Sequence, residues 1–133
     1  MNSLEDFLKW LSLHKEETID PERPIIDPHH HFWPGDMHYL LEDLWQDTES
    51  GHNVKKTVFI ECSQEYLKVG DKDFAPVGET IFVKNICDLA KKEKHRTQIE
   101  GIVGHVNLMI GAEKTVSVLR LSLIHISEPT RPS

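Results

Sequence analysis

Pro24-Ile25-Ile26-Asp27-Pro28-His29-His30-His31-Phe32-Trp33 joins a short apolar run to three consecutive histidines and two aromatic residues. Pro21 and Pro24 end the segment before it and keep the chain extended. Pro24 to Asp27 therefore predicts a short buried strand. In an extended chain, side chains alternate between two faces. His29 and His31 then project one way and His30 the other. Two imidazoles side by side can share one metal ion. Zinc takes such nitrogens at ~2.0–2.1 Å, and a catalytic zinc site keeps one position open. Asp27 has the same parity as the pair and is placed to orient a ligand from behind. The plain alternative is a polar loop that holds three histidines, and spacing alone does not separate the two.

Working outward, Ser3-Leu4-Glu5-Asp6 resembles a helix-capping box with Asp in place of Glu. Leu4, Phe7, Leu8 and Leu11 recur at helical spacing, which predicts an amphipathic helix over 4–14. Its Trp10 is either a packing residue or a contact for a partner. Residues 28–53 read as a long loop with a helical turn around Tyr39 to Trp45, and long loops inside a compact domain are often functional. Thr57-Val58-Phe59-Ile60 is β-branched and aromatic, so it reads as a second strand. Residues 63–77 read as irregular. Gly78-Glu79-Thr80 opens a helix with Ile81, Val83, Ile86, Leu89 and Ala90 on or near one face. Ile99 to His105 reads as a third strand. Strands alternating with helices imply a parallel sheet with right-handed crossovers.

The 133 residues suffice for one domain with a real core. They fall short of the ~250 residues of a complete (β/α)8 barrel. The net charge of −7 argues against a sequence-independent grip on nucleic acid and against an anionic membrane surface. Two cysteines, Cys62 and Cys87, form neither a C-x-x-C pair nor a disulfide framework. The acidic N-terminus lacks the apolar core of a signal peptide, and no apolar run approaches the ~20 residues of a membrane span. The expectation is a reduced, cytoplasmic protein.

Ile26-Asp27-Pro28-His29-His30-His31-Phe32-Trp33 resembles the first-strand signature of the amidohydrolase-related hydrolases, Asp-x-His-x-His, often followed by Phe-Trp. The resemblance continues through Thr57-Val58-Phe59-Ile60-Glu61-Cys62, through Pro76-Val77-Gly78-Glu79-Thr80, and through Gly101-Ile102-Val103-Gly104-His105-Val106-Asn107-Leu108. Together these blocks span roughly residues 24–110. They are similar to the lactonase-like branch of the amidohydrolase superfamily, which includes sugar lactonases and pyrone-dicarboxylate lactonases. The resemblance implies an α/β fold, the first three strands of a TIM (β/α)8 barrel. It implies that His29 and His31 occupy the metal-ligand positions of strand one, for a divalent ion such as Zn2+. Some lactonases of this branch are thought to work without metal. The other ligands and an aspartate general base come from later strands in the family. His30 falls at a variable position and receives no role.

Glu61, at the end of strand two, either faces the same pocket or is an ordinary solvated or capping carboxylate. His105, at the end of strand three, either contacts substrate or is a satisfied loop histidine. Cys62 is either a soft ligand or a small buried hydrophobe.

The chain divides into an N-terminal helix and lead-in (1–23), a partial barrel (24–120) and a tail (121–133). At face value Val116 to Ile126 is apolar enough for a fourth strand. Leu121 to Pro132, however, resembles the conceptual translation of a transposase adapter used in sequencing-library preparation. The tail is therefore set aside as a segment of foreign origin, with the gene expected to diverge near Arg120.

The leading expectation is a fragment of a metal-dependent hydrolase that opens a lactone or a related cyclic ester or amide, with a small-molecule substrate. Decarboxylation is the enzymatic alternative, since related barrels with the same His-x-His start cleave C–C bonds. A non-catalytic fragment or interaction module is the third reading, because a three-stranded piece of a barrel leaves edges open. Oligomeric state is left open by the sequence.

Overall fold

The computed structural model describes residues 3–126. The elements run α1 (Leu4–Leu11), β1 (Pro24–His30), α2 (Leu41–Thr48), β2 (Asn53–Ile60), α3 (Val77–Ala90), β3 (Gln98–Val103) and α4 (Ala112–Ile126). Short 3-10 turns lie at Lys72–Phe74 and Leu108–Ile110. The three strands form one sheet in the order β1-β2-β3, and both pairings are parallel. The architecture is α/β, with helices between successive parallel strands, as the alternating pattern predicts.

One face of the sheet is covered. Phe32 and Phe59 meet Leu44 and Trp45 from α2 and Val83 and Ile86 from α3 in a single apolar core. Phe59 is 1 % exposed. The Trp45 indole N–H donates to the Thr97 carbonyl at 2.9 Å, which satisfies the polar end of a buried aromatic. The Arg96 guanidinium lies 3.9 Å above the same ring and bonds Glu49, sealing its outer side. On α3 the buried stripe is Glu79/Thr80, Val83, Ile86/Cys87 and Ala90, at the 3–4 residue spacing of one helical face. Leu89, expected on that stripe, is exposed, and Cys87 takes the inward place. α4 packs against α3, with Val118 fully buried.

The other face of the sheet is open. β1 reads differently from its sequence: Ile26 is 62 % exposed. Its apolar run predicts burial on both faces, but β1 is an edge strand with one neighbour and one covered side. β3 is the opposite edge, and its Val103 is exposed as well. Lys56 and Glu100 approach to 3.9 Å across this region, both half in solvent.

Several boundaries move. α1 stops at Leu11 instead of residue 14, with Ser3 Oγ accepting from the Asp6 N–H at 3.2 Å. Its Phe7, Leu8, Trp10 and Leu11 are exposed, and Trp10 stacks on Phe7 of the same helix at 6.0 Å. β3 ends at Val103, so His105 lies beyond the strand. Val116 to Ile126 belongs to a helix and not to a fourth strand. Buried Thr115, Val118 and Ser122 recur on one side of α4, at the period of a helix and not of a strand. Of the tail set aside as foreign, 121–126 continues α4, and 127–133 lies outside the described residues. No helix among the described residues is long and apolar enough to cross a membrane.

A one-sided sheet predicts unequal costs for equal chemistry. Phe59→Ala is expected to destabilise by ~3–5 kcal/mol. Ile26→Ala is expected to cost no more than about 1 kcal/mol. Urea unfolding of both variants checks this, and similar costs at the two positions would refute it.

Candidate metal centre

The site begins with a defect in β1. Between Asp27 and His30, three steps of β1 stand against the two steps of β2 from Thr57 to Phe59. This is a bulge, and Pro28 sits in it, where a missing N–H does least harm. The Asp27 carboxylate accepts the His29 backbone N–H at 3.1 Å and so supports the chain through the bulge. Asp27 thus contacts the main chain of His29, not a ring nitrogen of the pair.

Beyond the bulge the alternation is clean. His30 and Phe32 enter the core, while His29 is exposed and His31 half-buried on the other side. His30 rests edge-on against Phe32 and Phe59, with ring centroids at 4.9 and 5.9 Å. Its Nε2 pairs with Thr57 Oγ1 at 3.0 Å, and its Nδ1 is buried without a partner. Burial pulls the His30 imidazole down from 6.5 to about 4. It is a neutral core histidine.

His29 and His31 converge instead. Their Nε2 atoms stand 3.2 Å apart, and the rings are perpendicular at 88°. Two nitrogens held at ~2.0–2.1 Å from one tetrahedral ion lie roughly 3.3 Å apart. The observed spacing matches that bite. The same spacing serves as a hydrogen bond when one proton sits between the nitrogens. His31 Nδ1 donates to the Ile60 carbonyl at 2.8 Å. An imidazole that gives its Nδ1 proton to a carbonyl presents a bare lone pair at Nε2, as a metal ligand must. The donor set fits a divalent metal on two of its ligands. Among the described residues, no group of three or more His, Cys, Asp or Glu side chains is placed to complete a metal cage.

The other candidates lie at the same carboxyl-terminal end of the sheet. The Glu61 N–H extends the ladder to the Val103 carbonyl at 2.9 Å. Its carboxylate comes within 3.9 Å of His105 Nδ1, both side chains being partly in solvent. Two residues from different strand exits are thus brought together, an ion pair whenever the imidazole is protonated. Cys62 is half-buried, and its thiol points at the Phe32 carbonyl, 3.7 Å away. Burial first, and then the Glu79 carboxylate, push that thiol up to about 11, so it stays protonated near neutral pH. This fits the small buried hydrophobe better than the soft ligand.

Three contributors escape the sequence reading. The Ile60 carbonyl is a backbone atom and leaves no signature in residue type. Trp33 sets its ring 5.7 Å from that of His31, while its N–H and carbonyl pair with Tyr39 at 2.9 Å, folding the 33–39 loop beside the pair. Glu79 is buried in the first turn of α3. Only the apolar weight around it hinted at burial there. No family model, curated protein or solved structure matches the chain.

The buried histidine sets a pH dependence. Between about 6.5 and about 4 the unfolded chain carries a proton on His30 that the folded chain does not. The unfolded state binds more protons in that window, so stability falls as pH falls through it. His30→Gln is expected to flatten that part of the profile. Urea midpoints at pH 7.5, 6, 5 and 4 read it, and parallel profiles for the two proteins would contradict the assignment.

Proposed function

We propose that the described residues are the first three strand–helix units of a (β/α)8 barrel of amidohydrolase-related type, and that they are a fragment of a metal-dependent hydrolase of lactones or related cyclic esters or amides. The observation that carries this reading is the His29–His31 pair. Its two Nε2 atoms converge at 3.2 Å, and His31 is held in the ligating tautomer by Ile60, at the carboxyl ends of parallel strands. That end of a parallel barrel is where catalytic groups gather. The four motif blocks of 24–110 add the family likeness, since fold alone does not specify chemistry.

In this reading His29 and His31 hold a divalent ion, Zn2+ by ligand type. A bound divalent ion polarises a carbonyl and lowers the pKa of water at the site. Asp27 holds the main chain at His29 so that the imidazole stays beside that of His31. Ile60 fixes the His31 proton on Nδ1. Glu61 and His105, 3.9 Å apart, offer a carboxylate acceptor and an imidazole to the polar groups of a cyclic substrate. The Trp33 ring beside His31 gives one apolar wall.

Calorimetric titration with Co2+ or Zn2+ tests the ligand assignment. One ion per chain is expected. His29→Ala and His31→Ala should each lose more than the roughly 10–100-fold that removal of an outer partner costs. In the parent protein, whose later strands would supply the remaining ligands and the general base, opening of a small lactone, followed as proton release, should vanish in both variants. Metal binding and hydrolysis that survive both substitutions would overturn the reading.

A further inference from the structure

We infer that Glu79, a residue with no contact to either ligand histidine, is the positioning residue that fixes the His31 imidazole in its metal-ligating tautomer. The inference rests on the metal reading above but can be tested apart from it. Glu79 is 2 % exposed, in the first turn of α3. One carboxylate oxygen, Oε1, accepts the backbone N–H groups of both Cys62 (3.0 Å) and Gln64 (2.7 Å). The other, Oε2, is buried without a hydrogen-bond partner. A buried carboxylate left half-satisfied is costly. Its retention needs a reason, and the segment it grips supplies one.

That segment is the exit of β2. It holds the two atoms that orient the histidine strand from the other side. The Ile60 carbonyl takes the His31 Nδ1 proton at 2.8 Å, and the Cys62 thiol reaches the Phe32 carbonyl at 3.7 Å. The Ile60–Glu61 peptide is held on its N–H side by the Val103 carbonyl at 2.9 Å, and Glu79 holds the segment just beyond it, so drift at 62–64 pulls on both contacts. The segment does not hold its shape by local preference. Ser63 (φ 63°) and Glu65 (φ 52°) are both left-handed, a conformation disfavoured for residues other than glycine. External contacts must impose it. The Glu79 oxygen does so at 62 and 64, flanking Ser63. The Leu67 N–H bond to the Ala75 carbonyl (2.9 Å) does so further on. Gly78 lets the chain come this close: a Cβ there would stand 2.3 Å from the Glu65 carbonyl oxygen. Glu79 therefore acts on His31 through Cys62, Gln64 and the Ile60 carbonyl. It touches neither ion nor substrate.

The test compares Glu79→Asp, Glu79→Gln and Ile86→Ala in the full chain. Asp keeps the charge but withdraws the oxygen by one methylene. Gln keeps an oxygen in place and drops the charge. Ile86→Ala removes a core side chain two turns further along the same helix, as a control for general loosening. Long-range 15N–1H NMR of the histidine rings at about pH 8, where ordinary imidazoles are neutral, reads the tautomer without any metal. Wild type, Glu79→Gln and Ile86→Ala are expected to keep the His31 proton on Nδ1, and Glu79→Asp to average the two tautomers. Co2+ affinity is expected to follow the same split, with Glu79→Asp weakened about 10–100-fold. A Glu79→Asp protein with an unaltered His31 tautomer overturns the inference. So does an Ile86→Ala protein disturbed as much as Glu79→Asp. Failure of wild type to bind Co2+ sinks the metal reading alone, and the tautomer comparison still decides the role of Glu79.

Discussion

Phe32 and Phe59 stack at 5.8 Å with their planes 17° apart, and His30 lies edge-on against both. This packing anchors the exit of β1 to the centre of the sheet. Aromatic burial of this kind is among the larger single contributions to a small core. Once His30 and Phe32 face inward, alternation along the strand puts His29 and His31 on the opposite side. The histidine pair is therefore a by-product of core packing. It is positioned mainly by packing on the opposite face, with Phe59 also meeting the His31 ring edge-on at 6.5 Å.

Polar contacts refine what packing begins. Pro28 removes a ladder bond, and Asp27 covers the adjacent His29 N–H, so the bulge is stable and not frayed. Ile60 then takes the His31 Nδ1 proton, which leaves the His31 Nε2 lone pair aimed at the His29 ring. The β2 exit is itself held by Glu79 from α3. Strand, strand exit and helix thus form one chain of constraints that ends at two nitrogen atoms. In a parallel sheet the strand exits converge at one end, which is why Glu61 and His105 arrive near each other despite their separation in sequence.

The sheet has a covered side and an open side, and the histidine pair belongs to the open one. A full barrel turns that side inward and lines it with further strands. The exposed Ile26 and Val103 are in keeping with a surface meant to be enclosed. The edges β1 and β3 leave ladder groups unpaired, the usual condition for adding a strand. The proposed barrel would account for the open face, the edges and the histidine pair of the described residues together.

Residue pattern alone carried the alternation of strands and helices, the segregation of His29 and His31 from His30, and the existence of every main element except α4. These are local properties, set by period and by residue type, and they need no knowledge of neighbours. The pattern offered a strand at Val116–Ile126 only at face value and set its later part aside as foreign, whereas the buried positions Thr115, Val118 and Ser122 give the segment the period of a helix. It misplaced Ile26 and Leu89, because burial depends on which sides of an element are covered. Only the tertiary structure brought Ile60, Glu79 and Cys62 to the histidines. Ile60 contributes through its backbone carbonyl, an atom every residue carries, and the Glu79 carboxylate and Cys62 thiol act on backbone groups of other segments, so residue identity does not advertise these contacts. Geometry across three separate segments selects those few, and that geometry comes into being only when the sheet and helices pack.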